Sequence, residues 1–383
     1  MTISLKSLHG RILDLDSHEQ VPTSRMDEMF GERGRRFAAV SPTMRSFMEI
    51  LDTDIGDTEK ITEQTVWEKK LLSAPSHADM DRRPAVMDMM GIQRQMVFPT
   101  MALAALSQAL GGLHIPATEE EQEAAWGALD AYNEWATGLT SKYPKRMYVV
   151  ALLAATVKPG VTPAWLAKEA ERLIKLGTRG VFIPTGKPPA GLSPGDPALD
   201  PFYATLAEAN VPLVTHPPGG VGYQSNAWGA ATRGGTWVHA AEENFLAAMV
   251  AGGVFERHPT LCFGAIECGA SWVGPLAEYL DFWTDRKRRP ENSVPIVVGD
   301  TKLSMRPSEY INRNVRATPH NFEPVEAWFQ RYPHLQDVYC YSTDFPHEEG
   351  QTWSLKRCYE SLAPLGDKIV EKYFCTNAQL LLP

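Results

Sequence analysis

Short apolar segments alternate with longer amphipathic ones along this chain, and this pattern predicts buried strands separated by helices. Eight segments rich in Val, Ile, Leu, Phe and Tyr have the length of buried strands, at residues 11–15, 94–98, 147–153, 179–183, 211–215, 261–266, 313–317 and 338–343. Helical patterns lie between most of them, at residues 119–143, 163–176, 201–209, 240–250 and 271–285. Eight strands that alternate with helices predict an α/β fold, the (β/α)8 or TIM barrel.

Two segments are too long for the short loops of a minimal barrel. Residues 19–80 follow the first predicted strand, and residues 184–201 follow the fourth. Both come after the carboxyl end of a strand, which is the face where barrel enzymes build their active sites. We therefore expect lids or pocket walls, with an oligomerisation arm as an equal alternative for residues 19–80. The whole chain, residues 1–383, is expected to form one barrel domain.

The composition narrows the classes of function. The chain is 44% hydrophobic and 22% charged, as in an ordinary globular protein. Its 37 Lys and Arg residues against 46 Asp and Glu give a formal charge of −9, which argues against nucleic-acid binding. The 5 cysteines form no C-x-x-C pair, so neither a disulfide framework nor a cysteine zinc site is indicated. With no signal peptide and no apolar run of ~20 residues, we expect a cytoplasmic protein that does not enter membranes.

Residues of metal-ligand type stand at the ends of four predicted strands. The first strand runs into Asp16 and His18, which are two apart, so both side chains point to the same side of an extended chain. His216 ends the fifth strand, Glu267 the sixth and Asp344 the eighth. The carboxyl ends of barrel strands meet at one end of the barrel, where these side chains can reach one point. The set as a whole therefore indicates a metal centre.

The motifs around these residues resemble those of the amidohydrolase superfamily, in the amidohydrolase-2 branch related to aminocarboxymuconate semialdehyde decarboxylase. They are Asp14-Leu-Asp-Ser-His18, Thr215-His-Pro-Pro-Gly-Gly220, Gly252-Gly-Val-Phe-Glu-Arg-His-Pro259, Glu267-Cys-Gly-Ala-Ser-Trp272, Pro307-Ser-Glu-Tyr310, Ser342-Thr-Asp-Phe-Pro-His-Glu-Glu-Gly350 and Asn377-Ala378. The resemblance covers most of the chain. It implies a divalent metal, often zinc, that is held by His18, His216 and Asp344.

The sequence departs from the family pattern at two positions. Asp16 stands where the first histidine of a His-x-His pair usually sits, and Glu267 stands where many relatives have a histidine. The implied ligand set is therefore rich in carboxylates. Zinc is the metal expected first, and iron or manganese, in a centre of one or two ions, is the alternative. Glu267 is either a ligand or an acceptor that orients a ligand histidine.

Other side chains near the strand ends are candidates for the pocket. His239, near a helix start, is expected as an acid/base group, with ligation of a second metal or a structural role as alternatives. His347, in the loop after the last strand, is also expected as an acid/base group, with metal ligation, substrate binding or stabilisation of the loop as alternatives. Trp237 and Trp272 are expected to line a substrate pocket. Arg316 is expected to clamp a substrate carboxylate, with a surface ion pair as the alternative.

We expect a metal-dependent hydrolase or non-oxidative decarboxylase. Its expected substrate is a small carboxylated molecule, with an aromatic carboxylate as one candidate. The metal would activate a water or polarise a carboxylate, and Asp344 would be a ligand or the base that accepts a proton. One alternative is an iron- or iron/manganese-dependent oxygenase, because carboxylate-rich sites suit oxygen chemistry at iron. Another is a catalytically silent metal-binding subunit. The expected protein partner is a second copy of the chain or a homologous subunit.

Overall fold

Parallel strands at the predicted positions form the centre of the fold. The computed structural model describes residues 3–21, 25–41, 55–110, 117–153, 160–217, 238–284 and 302–383. Its strands are Ile12–Asp14, Ile92–Val97, Met147–Val149, Ala151–Leu152, Val181–Phe182, Leu213–Thr215, Phe263–Ala265 and Val315–Ala317. Neighbouring strands in each sheet pair in parallel. Nearly all strand residues are buried, which explains their continuous apolar runs.

The third predicted strand joins two groups of paired strands. Met147–Val149 pairs with the strand before it, and Ala151–Leu152 pairs with the strand after it. Between them, the backbone N–H of Val150 donates to the carbonyl oxygen of Val97 at 3.0 Å. The two groups are therefore continuous on this side of the molecule.

Residues 338–345 close the barrel on the other side. The backbone N–H of Cys340 donates to the carbonyl oxygen of Ala317 at 3.0 Å, and that of Leu15 donates to Tyr341 at 3.2 Å. This segment is the predicted eighth strand, and it lies between the last and the first of the other strands. The prediction of a TIM barrel is confirmed.

Helices follow the strands along the chain. In the described ranges they are Leu5–Leu8, Met26–Val40, Glu63–Glu68, Arg83–Met90, Met101–Ala109, Glu119–Lys142, Pro163–Leu176, Asp200–Glu208, Val238–Ala251, Val254–Arg257, Val273–Thr284, Pro307–Asn314, Val325–Arg331, Ser354–Leu362 and Asp367–Glu371. All five predicted helices are present. Pro163–Leu176 ends where Gly177 takes a left-handed φ of 105° and donates its N–H to Ile174. None of the helices described is both long and apolar enough to cross a membrane.

The described part of the insertion after the first strand packs on the barrel. The ring of Trp67 stacks on that of Trp353, with centroids 6.4 Å apart. The backbone N–H of Leu71 donates to the carbonyl oxygen of Pro346 at 2.8 Å, in the loop after the last strand. The insertion is thus anchored at the carboxyl end of the barrel. The lid or oligomerisation role of residues 19–80 stays a prediction.

Candidate metal centre

The five predicted ligand residues form one cluster at the carboxyl ends of the strands. Donor atoms of Asp16, His18, His216 and Glu267 all lie within 4.8 Å of one another. His18 Nε2 is 3.4 Å from Asp16 Oδ1 and 3.5 Å from Asp344 Oδ1. His216 Nε2 is 3.5 Å from Asp16 Oδ1 and 2.9 Å from Glu267 Oε2. Side chains from four different barrel strands thus face one point.

Both histidines of the cluster are held by their other ring nitrogen. His18 Nδ1 is 3.1 Å from the carbonyl oxygen of Pro99, and His216 Nδ1 contacts the carbonyl oxygen of Pro217. A ring nitrogen that donates to a carbonyl oxygen carries the proton, which leaves a lone pair on Nε2 of a neutral imidazole. Both Nε2 atoms face the carboxylates. Each histidine is therefore oriented to bind a metal through Nε2.

Two of the carboxylate residues have an unusual backbone conformation. Glu267 has a φ of 56° and Asp344 a φ of 48°, in the left-handed region that residues other than glycine rarely adopt. The backbone N–H of Glu267 donates to Thr318 Oγ1, and that of Asp344 donates to the carbonyl oxygen of Asp16, both at 2.8 Å. Such conformations persist where surrounding contacts impose them, and they concentrate at functional sites.

Asp14, two residues before Asp16, ties the first strand to its two neighbours. Its carboxylate accepts hydrogen bonds from Gln95 Nε2 at 2.7 Å and from Thr343 Oγ1 at 2.6 Å. Burial raises the pKa of Asp14 to about 7, against the effect of these hydrogen bonds. Asp14 was not predicted as a site residue, although the spacing of two places it on the same side of the strand as Asp16.

The carboxylates of the cluster raise the pKa values of their neighbours. Burial, followed by the nearby Glu267 and Asp16 carboxylates, raises the pKa of Asp344 well above its usual range. Burial favours a lower pKa for His216, but the same two carboxylates outweigh it and raise that pKa. Burial lowers the pKa of His18 to about 4. The cluster therefore attracts positive charge, and a bound cation would displace these protons.

Buried donor atoms without hydrogen bonds show that the cluster fits a metal. In the part of the chain that the structure describes, both carboxylate oxygens of Asp16 and of Asp344 are buried without a hydrogen bond of good geometry, as are Nε2 of His18 and of His216. Most buried polar atoms in proteins are paired, so this concentration needs an explanation. One divalent cation would satisfy all of these atoms. Imidazole nitrogens with carboxylate oxygens suit zinc, manganese or iron.

His347 joins the cluster from the loop after the last strand. Its Nδ1 is 3.1 Å from Asp344 Oδ1, and its Nε2 is 3.2 Å from Thr100 Oγ1. Its ring centroid lies 3.9 Å from that of His18. His347 therefore lies beside the candidate ligands His18 and Asp344, and its chemical role stays a prediction.

His239 and Trp272 lie next to each other, with ring centroids 6.3 Å apart. Trp272 is buried, and its Nε1 donates to two backbone carbonyl oxygens of the preceding loop. His239 Nε2 is 3.0 Å from Glu243 Oε2, and its side chain is 40% exposed. Among the described residues, its nitrogens do not belong to the converging donor groups. Trp237 lies outside the described residues, and the pocket roles of all three stay predictions.

The contacts of Arg316 contradict its predicted role as a clamp for a substrate carboxylate. Its Nε donates to the carbonyl oxygen of Asn377 at 2.8 Å, and its Nη1 donates to those of Asn312 at 3.1 Å and Val315 at 2.7 Å. Asn312 precedes the strand, so the guanidinium reaches towards the barrel end opposite the cluster. The buried head group of Arg316 stabilises backbone there instead.

Two charged side chains of this region were not predicted from the sequence. Glu242 is buried and accepts a hydrogen bond from Thr185 Oγ1 at 2.9 Å, and burial raises its pKa to about 7. Its position three residues after His239, on the same helix face, could have indicated that Glu242 lies near this region.

The Lys70 ammonium interacts electrostatically with Asp344, and burial lowers the pKa of Lys70 to about 8. Nothing in the sequence marks Lys70, because strand patterns do not predict the path of an insertion.

Comparisons with known proteins agree with the barrel fold. A family model described as amidohydrolase matches residues 72–383. An amidohydrolase from Mycobacterium avium subsp. paratuberculosis is 20% identical, with a TM-score of 0.68 over 97% of this chain and 99% of that chain. The 5-carboxyvanillate decarboxylase of Novosphingobium aromaticivorans, solved with manganese, is 20% identical, with a TM-score of 0.59 over 97% of this chain and 96% of that chain. The 2,6-dihydroxybenzoate decarboxylase from Rhizobium is 17% identical, with a TM-score of 0.59 over 97% of this chain and 98% of that chain. No curated protein matches the chain.

Proposed function

We propose that this chain, which belongs to the amidohydrolase family, is a metal-dependent decarboxylase of a small aromatic carboxylate. The observation that carries the proposal is the convergence of donor atoms from Asp16, His18, His216, Glu267 and Asp344. Among the described residues, those of Asp16, His18, His216 and Asp344 are buried without a hydrogen bond of good geometry. Two similar structures are decarboxylases of 5-carboxyvanillate and of 2,6-dihydroxybenzoate, which favours decarboxylation over hydrolysis. Manganese becomes the first candidate ahead of zinc, because the donor set is rich in carboxylates and one of these structures holds manganese.

The protein groups divide the work of this reaction. When bound, the metal supplies a positive charge that polarises the substrate carboxylate. His18 and His216 are oriented by their backbone contacts before any metal binds. The bond to the carboxyl group breaks, its electron pair stays on the ring carbon, and that carbon takes up a proton as CO2 leaves. We assign the proton to one of two histidines: His239, whose ring lies beside Trp272, or His347, whose Nδ1 is 3.1 Å from Asp344 Oδ1.

The carboxylates of the cluster favour one second candidate function. Asp16, Glu267 and Asp344 together resemble the oxygen-rich donor sets that non-haem iron enzymes use to activate O2. An oxygenase would consume O2 and require iron. Measuring O2 consumption with the iron-loaded protein separates this candidate from the decarboxylase.

Release of CO2 from aromatic carboxylates tests the proposed function. Metal-depleted protein is reloaded with Mn2+ and incubated with a panel of hydroxylated benzoates. We expect CO2 from at least one of them, with a loss of at least about a hundredfold in Asp344→Asn, because a metal ligand is removed. Glu348→Gln is the matched control, since Glu348 is exposed and lies outside the donor groups. CO2 release that survives both chelation and Asp344→Asn would contradict the proposal.

A further inference from the structure

Arg83 is a fully buried arginine where the helix Arg83–Met90 begins, just after the insertion that follows the first strand. Its Nη2 donates to the carbonyl oxygen of His18 at 2.7 Å and to that of Ser76 at 2.9 Å. One nitrogen therefore joins a candidate metal ligand to the insertion. A buried charge is costly, and an apolar side chain would fill the same space without that cost. Packing alone therefore does not account for this arginine.

The carbonyl oxygen of His18 receives no hydrogen bond from the neighbouring last strand. The backbone N–H of His18 donates to the carbonyl oxygen of Phe345 at 2.6 Å, so the two segments are paired up to this point. The next residue, Pro346, has no backbone N–H, and the N–H of His347 donates to the carbonyl oxygen of Asp344 at 2.7 Å. A buried carbonyl oxygen without a partner costs free energy. The guanidinium supplies the hydrogen bond that the strand cannot.

The same guanidinium contacts residues beside the other ligands of the first and last strands. Its Cζ lies 5.0 Å from the ring centroid of Phe345, the residue that follows Asp344. Its Nη1 lies 3.5 Å from Gln95 Oε1, and Gln95 Nε2 donates to Asp14 Oδ2 at 2.7 Å. Burial lowers the pKa of Arg83 only to about 10, so the group stays charged at neutral pH. These contacts fix the guanidinium at the junction of the two strands.

We propose that Arg83 is a positioning residue of the metal centre, which fixes the backbone of His18 and thereby the direction of its Nε2. The inference rests on the metal centre of the proposed function but not on the reaction there. With Arg83 in place, His18 is held at three points: its N–H, its carbonyl oxygen and its Nδ1. Without the guanidinium, His18 has more conformational freedom to lose when it binds a metal, so the metal affinity falls.

A Mn2+ titration of the metal-free wild type and of Arg83→Met tests this role. We expect Arg83→Met to bind Mn2+ about 10–100 times more weakly than wild type, as is typical when a group that orients a metal ligand is removed. The electron paramagnetic resonance spectrum of the bound Mn2+ should also change, because that spectrum depends on the geometry of the ligands. A loss of stability alone would leave this spectrum unchanged.

Arg316→Met is the matched control. Arg316 is also a buried arginine that donates to backbone carbonyl oxygens, but it reaches towards the opposite end of the barrel. Its replacement should therefore lower the stability and leave both the Mn2+ affinity and the spectrum as in wild type. Arg83→Lys is a second variant, which keeps the charge on a shorter side chain and should lose about tenfold in affinity. Urea unfolding of the metal-free proteins identifies the variants that fold.

Wild-type affinity and spectrum in each Arg83 variant that folds, or an equal loss of affinity in Arg316→Met, would overturn the inference. Either result, together with CO2 release by wild type, would leave the proposed function standing. Weaker Mn2+ binding in the Arg83 variants, when wild type releases no CO2, would support the inference and count against the proposed function. A wild type that binds no Mn2+ would overturn both.

Discussion

At the scale of single residues, the candidate metal ligands are fixed by contacts outside the cluster. His18 is held through Nδ1 by a backbone carbonyl, and Glu267 is held through its backbone N–H by Thr318 Oγ1. Contacts of this kind orient a ligand before the metal arrives, so less conformational freedom is lost on binding. The same buried environment displaces the pKa values of groups next to the cluster, and Glu242 is the case that can be measured separately.

Glu242 should make the stability of the metal-free protein depend on pH. Burial raises its pKa from 4.5 to about 7 in the folded state. Losing the proton is therefore harder in the folded than in the unfolded chain, so stability falls as pH rises from about 4.5 to about 7 and is level above that. Glu242→Gln cannot lose this proton. The free energy of unfolding of Glu242→Gln, relative to that of wild type, should therefore rise by about 3 kcal/mol between pH 4.5 and pH 7.5.

Urea unfolding of the metal-free proteins at the two pH values measures this difference. Glu278→Gln, an exposed change on a neighbouring helix, serves as the control and should follow wild type. Identical pH dependence of Glu242→Gln and wild type would show that the Glu242 carboxyl does not titrate abnormally.

At the scale of elements, the strands could be predicted from the sequence but the loops could not. A strand that is buried on both faces is a continuous apolar run, as in residues 211–215. The end of such a strand, and with it the candidate ligand His216, can be predicted from the sequence. The same burial hides which side chains point inwards, so the pattern could not show that the guanidinium of Arg316 donates to backbone carbonyl oxygens. Lys70, which interacts electrostatically with Asp344, comes from a segment without periodicity.

Two glycines test how a helix and its end are stabilised. Gly177 has a φ of 105° at the end of Pro163–Leu176, whereas Gly138 lies exposed inside Glu119–Lys142 with open space around it. Gly177→Ala should cost about 1 kcal/mol, because a side chain disfavours the left-handed region. Gly138→Ala should instead stabilise by about 0.5–1 kcal/mol. Denaturant unfolding measures both, and effects of equal sign would contradict the explanation.

At the scale of the whole molecule, the cluster links distant parts of the chain. Asp14, near the start, accepts hydrogen bonds from Thr343, near the end, and the adjoining ligands Asp16 and Asp344 come from the same two strands. A bound metal would therefore connect the first and last strands of the closed barrel. Because unfolding separates these ligands, metal binding is coupled to the stability of the whole fold.

Removal of metal should accordingly destabilise the entire protein. At a free Mn2+ concentration one hundred times the dissociation constant, binding adds about 2.7 kcal/mol to the free energy of unfolding. Thermal unfolding with Mn2+ and with a chelator measures the difference. Asp16→Asn should show a much smaller difference than wild type. An equal response in Asp16→Asn and wild type would place the stabilising metal elsewhere.

Anomalous diffraction at the manganese edge, from crystals grown with Mn2+, tests the central claim most directly. We predict a peak about 2.0–2.3 Å from Nε2 of His18 and of His216 and from a carboxylate oxygen of Asp16. The metal centre and the function proposed for it would be contradicted if these side chains were well ordered but had no anomalous peak between them. A map in which the anomalous peaks lie only at other positions would contradict them as well.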